Sequence, residues 1–204
     1  MLKFLGKLFN RDLTTPAEPI DTNVSEDEIW EILHPTNKAE LSKRKKNLQR
    51  FLQFATSHLT KTESQRLCRI GKSALNDTED SFEALSEVAS GEDGQRRGKW
   101  VFIQLDWKAR EEITWQVSEI LSTLGFGERW EHDCEAEFRS VHEALLSLSE
   151  WLTARGLALL HFETNSDFYC SFIVKSSDVA SAKELAAEAQ LTLYDHAEFL
   201  RQNT

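Results

Sequence analysis

The sequence predicts an α/β protein of the α+β kind: a mixed sheet of split βαβ type with packed helices, preceded by an all-helical N-terminal layer. Three observations lead there. First, Trp100–Leu105 is apolar at every position but Gln104, with Val101, Ile103, Leu105 and Trp107 on one face and Trp100 and Phe102 on the other. A strand apolar on both faces is covered on both sides. Second, Ile113, Val117, Ile120, Leu121 and Leu124 follow it at steps of three and four, a helical stripe that Gly125 stops. Third, Leu157–Thr164 and Phe168–Lys175 are strand-like runs joined by the turn-forming residues Asn165-Ser166-Asp167, which makes a β-hairpin.

In chain order, caps and breakers delimit the elements. Residues 1–24 hold an amphipathic start, MLKFLGKLFNR, and a linker with Pro16 and Pro19. Ser25-x-x-Glu28 is a capping box for a short helix through Ile29, Trp30, Ile32 and Leu33, which His34-Pro35 ends. Asn37-x-x-Glu40 caps a longer helix to about His58, with Leu41, Leu48, Phe51, Leu52 and Ala55 on its apolar side. Thr60-x-x-Glu63 caps the next, with Leu67, Ile70, Ala74 and Leu75 inward. Phe82, Leu85 and Val88 mark one more helix before the Gly91–Gly98 loop. Residues 25–97 are thus a helical region and 98–204 an α/β domain, and 25–204 can close into one compact unit. Phe126–His132 is left open between a strand and an irregular connection. Phe138, Val141, Leu145, Leu148 and Leu152 set a helix over Glu135–Ala154, stopped by Gly156. Ser177-Asp178 opens a helix with Val179, Ala182, Leu185, Ala186 and Ala189 inward, and Leu191–Asp195 is a last short strand.

The composition bounds the function. With 204 residues, 40% hydrophobic and 28% charged, the chain can bury a core without covalent staples. Cys68, Cys134 and Cys170 are odd in number, far apart and form no CxxC, the pattern of reduced, packed thiols in a cytoplasmic protein. No stretch has the roughly 18 apolar residues that cross a bilayer. Residues 2–9 can lie on a membrane surface as a peripheral contact, or dock on the protein itself or on a second copy in a homodimer. The formal charge of −10 is unevenly spread: residues 38–72 carry ten Lys and Arg against two acids, a balance of +8, which leaves −18 for the remainder.

The run LDWKAREEITWQV (Leu105–Val117) resembles the strand–Asp-Trp-Lys–helix junction of an uncharacterised bacterial domain family of unknown function. The turn Thr164–Tyr169 is similar to that family's later Ser-Asp-containing turn. The resemblance covers about residues 98–195 and leaves the helical half outside. It implies a bacterial cytosolic source, no activity, and no catalytic residue that can be carried over.

Several groups are candidates for chemistry, each with a simpler alternative. Asp106 stands at the C-terminal end of the buried strand, where α/β folds place functional groups. With Trp107 and Lys108 it can line a cleft, or it can cap the following helix while Lys108 stays solvated. His161 and Glu163 stand at i and i+2 on a strand and face the same side. Trp115 lies off the apolar stripe of its helix; the N-terminal helices can cover it, or it can join a binding hot spot. Glu111 and Glu112 are adjacent and point about 100° apart on a helix, which does not serve acid–base catalysis. Cys68 and Cys170 fall at inward positions, leaving Cys134 the accessible thiol. There is no phosphate-binding glycine loop, no GxSxG and no HExxH. His132, Asp133 and Cys134 share a loop without metal-ligand spacing, so no metal and no cofactor is expected. A basic patch of Lys43, Arg44, Lys46, Arg50, Arg66 and Arg69 can track a phosphate backbone. However, Lys43–Lys46 winds around its helix and the acidic remainder repels nucleic acid, so packing on the acidic body or on a protein partner is expected instead.

The functional expectation is a non-enzymatic bacterial cytosolic protein-interaction module, immunity- or adaptor-like, with a protein partner. Two alternatives stay open. One is a small-ligand-binding protein or enzyme using the Asp106/Trp107/Lys108 junction with His161 and Glu163; the other is nucleic-acid binding through the basic helices of residues 38–72. A formed pocket on which the junction and strand groups converge favours the first alternative, and a filled junction favours the interaction module.

Overall fold

The computed structural model describes residues 38–78, 80–131 and 140–202. Contacts divide the chain into Met1–Asn37 and Lys38–Thr204, and the second unit holds every described residue. The amphipathic start at 2–9, the Pro16–Pro19 linker, the Ser25–Glu28 box, Asn37, the His132–Cys134 loop and residues 135–139 of the expected helix lie outside the described residues.

Among the described residues three helices come first: α1 (Lys38–Ala55), α2 (Lys61–Ala74) and α3 (Ser81–Ser90). Thr60 opens α2 by accepting the Glu63 N–H at 3.4 Å, and Asp80 opens α3 by accepting those of Phe82 and Glu83 at 2.8 Å each. The helices pack closely because Gly71 has no side chain. A Cβ there would lie 2.7 Å from a Leu52 methyl on α1 and 3.2 Å from a Val88 methyl on α3.

Then come β1 (Phe102–Asp106), a 3-10 turn (Arg110–Glu112), α4 (Ile113–Thr123), α5 (Val141–Thr153), β2 (Leu157–Phe162) and β3 (Phe168–Lys175). A second 3-10 turn (Ser176–Asp178), α6 (Val179–Glu188), β4 (Leu193–Tyr194) and α7 (His196–Gln202) complete the described chain. Ser140 caps α5 through the Glu143 N–H at 3.2 Å, and Gly156 at φ +72° turns the chain from α5 into β2.

The four strands are ordered β1-β3-β2-β4, and every neighbouring pair is antiparallel. The α+β class and the split βαβ pattern are as expected. β1 and β2 run the same way on either side of β3, with α4 and α5 in the crossover, and β3 and β4 do so across β2 through α6. The expectation of a mixed sheet is corrected in one respect: the hairpin strand inserted between the parallel partners removes every direct parallel pairing.

The two sheet faces are covered by different helices. The first presents Phe102, Leu160, Phe162, Cys170, Phe172 and Val174 to α1, α2, α3 and α6. The second presents Ile103, Leu105, Leu157, Leu159 and Ile173 to α4 and α5. Strand β1 is an edge, yet its outward amides are not left open. The Gln95 side chain accepts from the Phe102 N–H at 3.0 Å and donates to the Phe102 carbonyl at 2.8 Å. Gln116, buried on α4, does the same for the N–H and carbonyl of Gln104, both at 2.8 Å. Two side-chain amides thus stand where a neighbouring strand would.

Candidate functional site: an aromatic cleft at the open end of the hairpin

Alternation decides which side chains reach the cleft. On the second face, β1 continues Ile103, Leu105 to Trp107, β2 continues Leu157, Leu159, His161 to Glu163, and β3 contributes Tyr169. The registers Leu105↔Tyr169 and His161↔Tyr194 carry this row across all four strands. Helix α7 then folds back over it. Asp195 and Glu198 form a reciprocal capping box, with Glu198 N–H to Asp195 Oδ1 at 3.0 Å and Asp195 N–H to Glu198 Oε2 at 2.8 Å. Lys183 of α6 pairs with both carboxylates, which ties α7 to the body.

An open cleft of about 460 Å³ results, lined among others by Trp107, His161, Glu163, Tyr169, Tyr194 and Phe199. Its charged lining residues are Glu163 and Asp167; no lysine or arginine lines it among the described residues. Tyr194 donates its hydroxyl to Glu163 Oε1 at 2.8 Å. Burial and this carboxylate together hold the Tyr194 phenol above its ordinary pKa. Trp107 remains 54% exposed, with the Lys108 ammonium over its ring at 4.6 Å from the centroid.

His161 is the buried polar group of the site. Its ring stacks on Phe199 with centroids 3.8 Å apart and planes 10° from parallel. Nδ1 and Ser171 Oγ share a hydrogen bond of 2.8 Å, while Nε2 has no hydrogen-bond partner among the described residues. Burial first, then the neighbouring His196 and His142, lower its pKa to about 3, so the imidazole is neutral at physiological pH. A Ser–His pair invites comparison with activated nucleophiles. Ser171, however, is fully buried, so its hydroxyl is closed to any substrate, and an imidazole held so acidic is a weak general base. Among the described residues no group of three or more His, Cys, Asp or Glu is placed to hold a metal ion.

Of the sequence candidates, Trp107, His161 and Glu163 meet in this cleft. Asp106 neither lines the cleft nor caps the following helix: Oδ1 accepts the Lys108 N–H at 2.9 Å within the turn, and the 3-10 turn Arg110–Glu112 starts at Ala109 without a side-chain cap. Trp115 is not part of the cleft. It stands 40% exposed on α4, edge-on to Trp100 at 4.9 Å. Among the described residues, α1, α2 and α3 pack on the opposite sheet face and do not cover it. The basic patch is divided. Arg50 pairs with Glu188 of α6; Arg66 pairs with Glu63 and donates to the Asp93 and Gly94 carbonyls. Lys43, Lys46 and Arg69 are exposed and Arg44 is half-buried. Cys68 and Cys170 are buried, and burial pushes both thiols up, Cys170 far outside the reactive range.

Sequence reasoning missed Tyr169, Tyr194 and all of α7. Tyr169 was legible: if Phe168 and Cys170 face inward, the residue between them faces the other side. Helix α7 had its own signal in Asp195-x-x-Glu198, a capping box like those that marked the earlier helices.

A family model described as a domain of unknown function (DUF6630) matches residues 26–197, reaching through the helical half as well as the sheet. No curated protein and no solved structure matches the chain.

Proposed function

The chain belongs to the DUF6630 family of domains of unknown function, and from that footing we propose that it is a binding protein rather than a catalyst, with a small ligand held in the aromatic cleft. One observation carries the proposal: Trp107, Glu163, Tyr169 and Tyr194, each from the end of a different strand, converge with His161 on one open cleft. The sealed Ser171–His161 pair supplies no accessible nucleophile, which is why binding is the better reading. The buried, unreactive thiols of Cys68 and Cys170 suit a reducing bacterial cytosol, and that setting is part of the proposal.

The test is a fragment screen followed by amide and indole NMR. Binders are expected to shift Trp107, Glu163 and Tyr194. Binders that perturb only residues remote from the cleft would overturn the proposal, as would turnover of a bound fragment.

A second reading, an adaptor- or immunity-like module with a protein partner, draws support from Trp107 and Trp115, exposed tryptophans among the described residues. Affinity purification at low and high salt with W107A and W115A separates it, since a protein partner would be lost from these variants. Nucleic acid fits less well, because Arg50 and Arg66 are engaged internally.

A further inference from the structure

We infer that the cleft recognises an organic cation: an ammonium or guanidinium group on a short apolar stem. The inference rests on the proposed binding function and names its ligand class. Four features select this chemistry over an anion or a neutral apolar group.

The first is the wall. Trp107, Tyr169 and Tyr194 offer π-faces and edges from three strands, and ring faces attract cations through their quadrupole. The second is the sign of charge. Glu163 and Asp167 line the cleft with no lysine or arginine among its described lining residues, so an anion inside it meets two carboxylates and finds a cation only at the Lys108 rim. Tyr194 uses Glu163 Oε1, which orients the carboxylate and leaves Oε2 for a ligand N–H. The third is a buried acceptor. His161 Nε2 is buried without a partner among the described residues, whereas buried nitrogens are normally hydrogen-bonded. When Nδ1–H donates to Ser171, Nε2 is an unpaired acceptor behind the cleft wall, and its lone pair favours positive over negative charge in front of it. The fourth is already in place: the Lys108 ammonium lies over Trp107, so the protein's own cation occupies part of the rim. A ligand cation replaces it there.

Such a cation has two sources, a free amine or the lysine or arginine side chain of a partner polypeptide, and both are recognised by the same groups. The full chain is titrated with n-butylammonium and butylguanidinium, and with tetramethylammonium as a cation that has no N–H, followed by NMR at the Trp107 indole and the Tyr194 ring. 1-Butanol and butyrate serve as neutral and anionic controls, and blocked pentapeptides with one central lysine or arginine among glycines form the second arm. At least one cation is expected to shift Trp107 and Tyr194 and to bind roughly tenfold or more tightly than 1-butanol, with butyrate weaker still. Glu163→Gln is expected to weaken cation binding about fivefold or more, and Lys108→Ala to tighten it about two- to fivefold. Both positions are exposed, so unchanged unfolding curves certify the variants. A peptide that outbinds the free cations assigns the source to a partner chain; the reverse assigns it to a small molecule, and either result supports the inference. If 1-butanol or butyrate binds the cleft as well as the cations do, the inference fails while the binding proposal stands. If nothing perturbs the cleft of the folded protein, both fall.

Discussion

The two faces of one sheet are built on opposite plans. On the first, the strands contribute only apolar side chains to the core. Phe51 of α1 meets Phe162 and Phe172 edge-on at 5.8 and 5.7 Å, and Phe102 approaches Phe172 at 6.0 Å. On the second, the aliphatic core is interrupted by His161 and Ser171 on the strands and by Gln116 and Ser149 on the covering helices, all buried. Helices that pack on Phe102, Leu160 and Phe172 meet only apolar strand side chains there, and their own buried polar groups, Thr56, Glu63 and Ser81, lie off the sheet. Helices on the second face must satisfy polar groups, and where α4 and α5 end, the row Trp107–Tyr169–Glu163–Tyr194 is left to a seven-residue helix and an open cleft. The lesson is that the cleft lies where the apolar alternation of the strands breaks.

The contrast can be broken from the first face. Phe172→Ala removes a ring that is 1% exposed and touches Phe51, Phe102 and Phe162, and should cost about 3–5 kcal/mol in denaturant unfolding. A cost under about 1 kcal/mol would mean that this face is not the main core.

The second face should answer to pH instead. His161 has a folded pKa of about 3, below the unfolded value of 6.5, so its contribution is fully present above pH 6.5 and is lost as pH falls toward 3. Stability should drop by about 3 kcal/mol between pH 7 and pH 4, because the unfolded chain binds the proton that the folded chain refuses. The groups facing His161 are Ser171, Phe199, His142 and His196; burial lowers the His142 pKa too, which adds in the same direction. His161→Leu should flatten most of this slope, and an unchanged slope would remove His161 from the account.

The smallest effect sharpens the comparison. Trp107→Ala should change stability by no more than about 0.5 kcal/mol, since the ring is 54% exposed, while abolishing ligand shifts in the cleft. A large loss of stability would make Trp107 a core residue and not a recognition residue.

The same contrast explains what was legible in the sequence. The first-face residues were readable because each obeys one rule: Phe51 and Leu52 sit on a helical stripe, and Phe172 alternates on a strand. The strand–helix unit at Gly98–Gly125 and the hairpin after Gly156 were readable for the same reason. The cleft was half legible. His161 and Glu163 share a face by period two, and Trp107 continues the β1 alternation, so three of its residues could be named. Their meeting depends on strand order, which places β3 between β1 and β2 and β4 beyond β2, and periodicity carries no information on order. Asp106 was given weight for its position, yet its carboxylate is consumed by the turn it starts. Helix α7 was hidden by brevity: its single buried apolar residue, Phe199, makes no stripe, and only the Asp195–Glu198 box announces it.

The pair of glutamines along β1 has a consequence for how molecules of this protein can join. A fibre of stacked sheets needs two free borders on every unit, one to receive a chain and one to be received. With Gln95 and Gln116 bonded to the Phe102 and Gln104 amides, the β1 border has no vacant donors or acceptors at those positions. In the described sheet, joining through backbone pairing is left to the β4 border, two residues long, and one border per sheet ends at a pair of molecules. The side-chain amides therefore close this border to strand addition at Phe102 and Gln104, through two uncharged residues that no count of charge or hydrophobicity would single out.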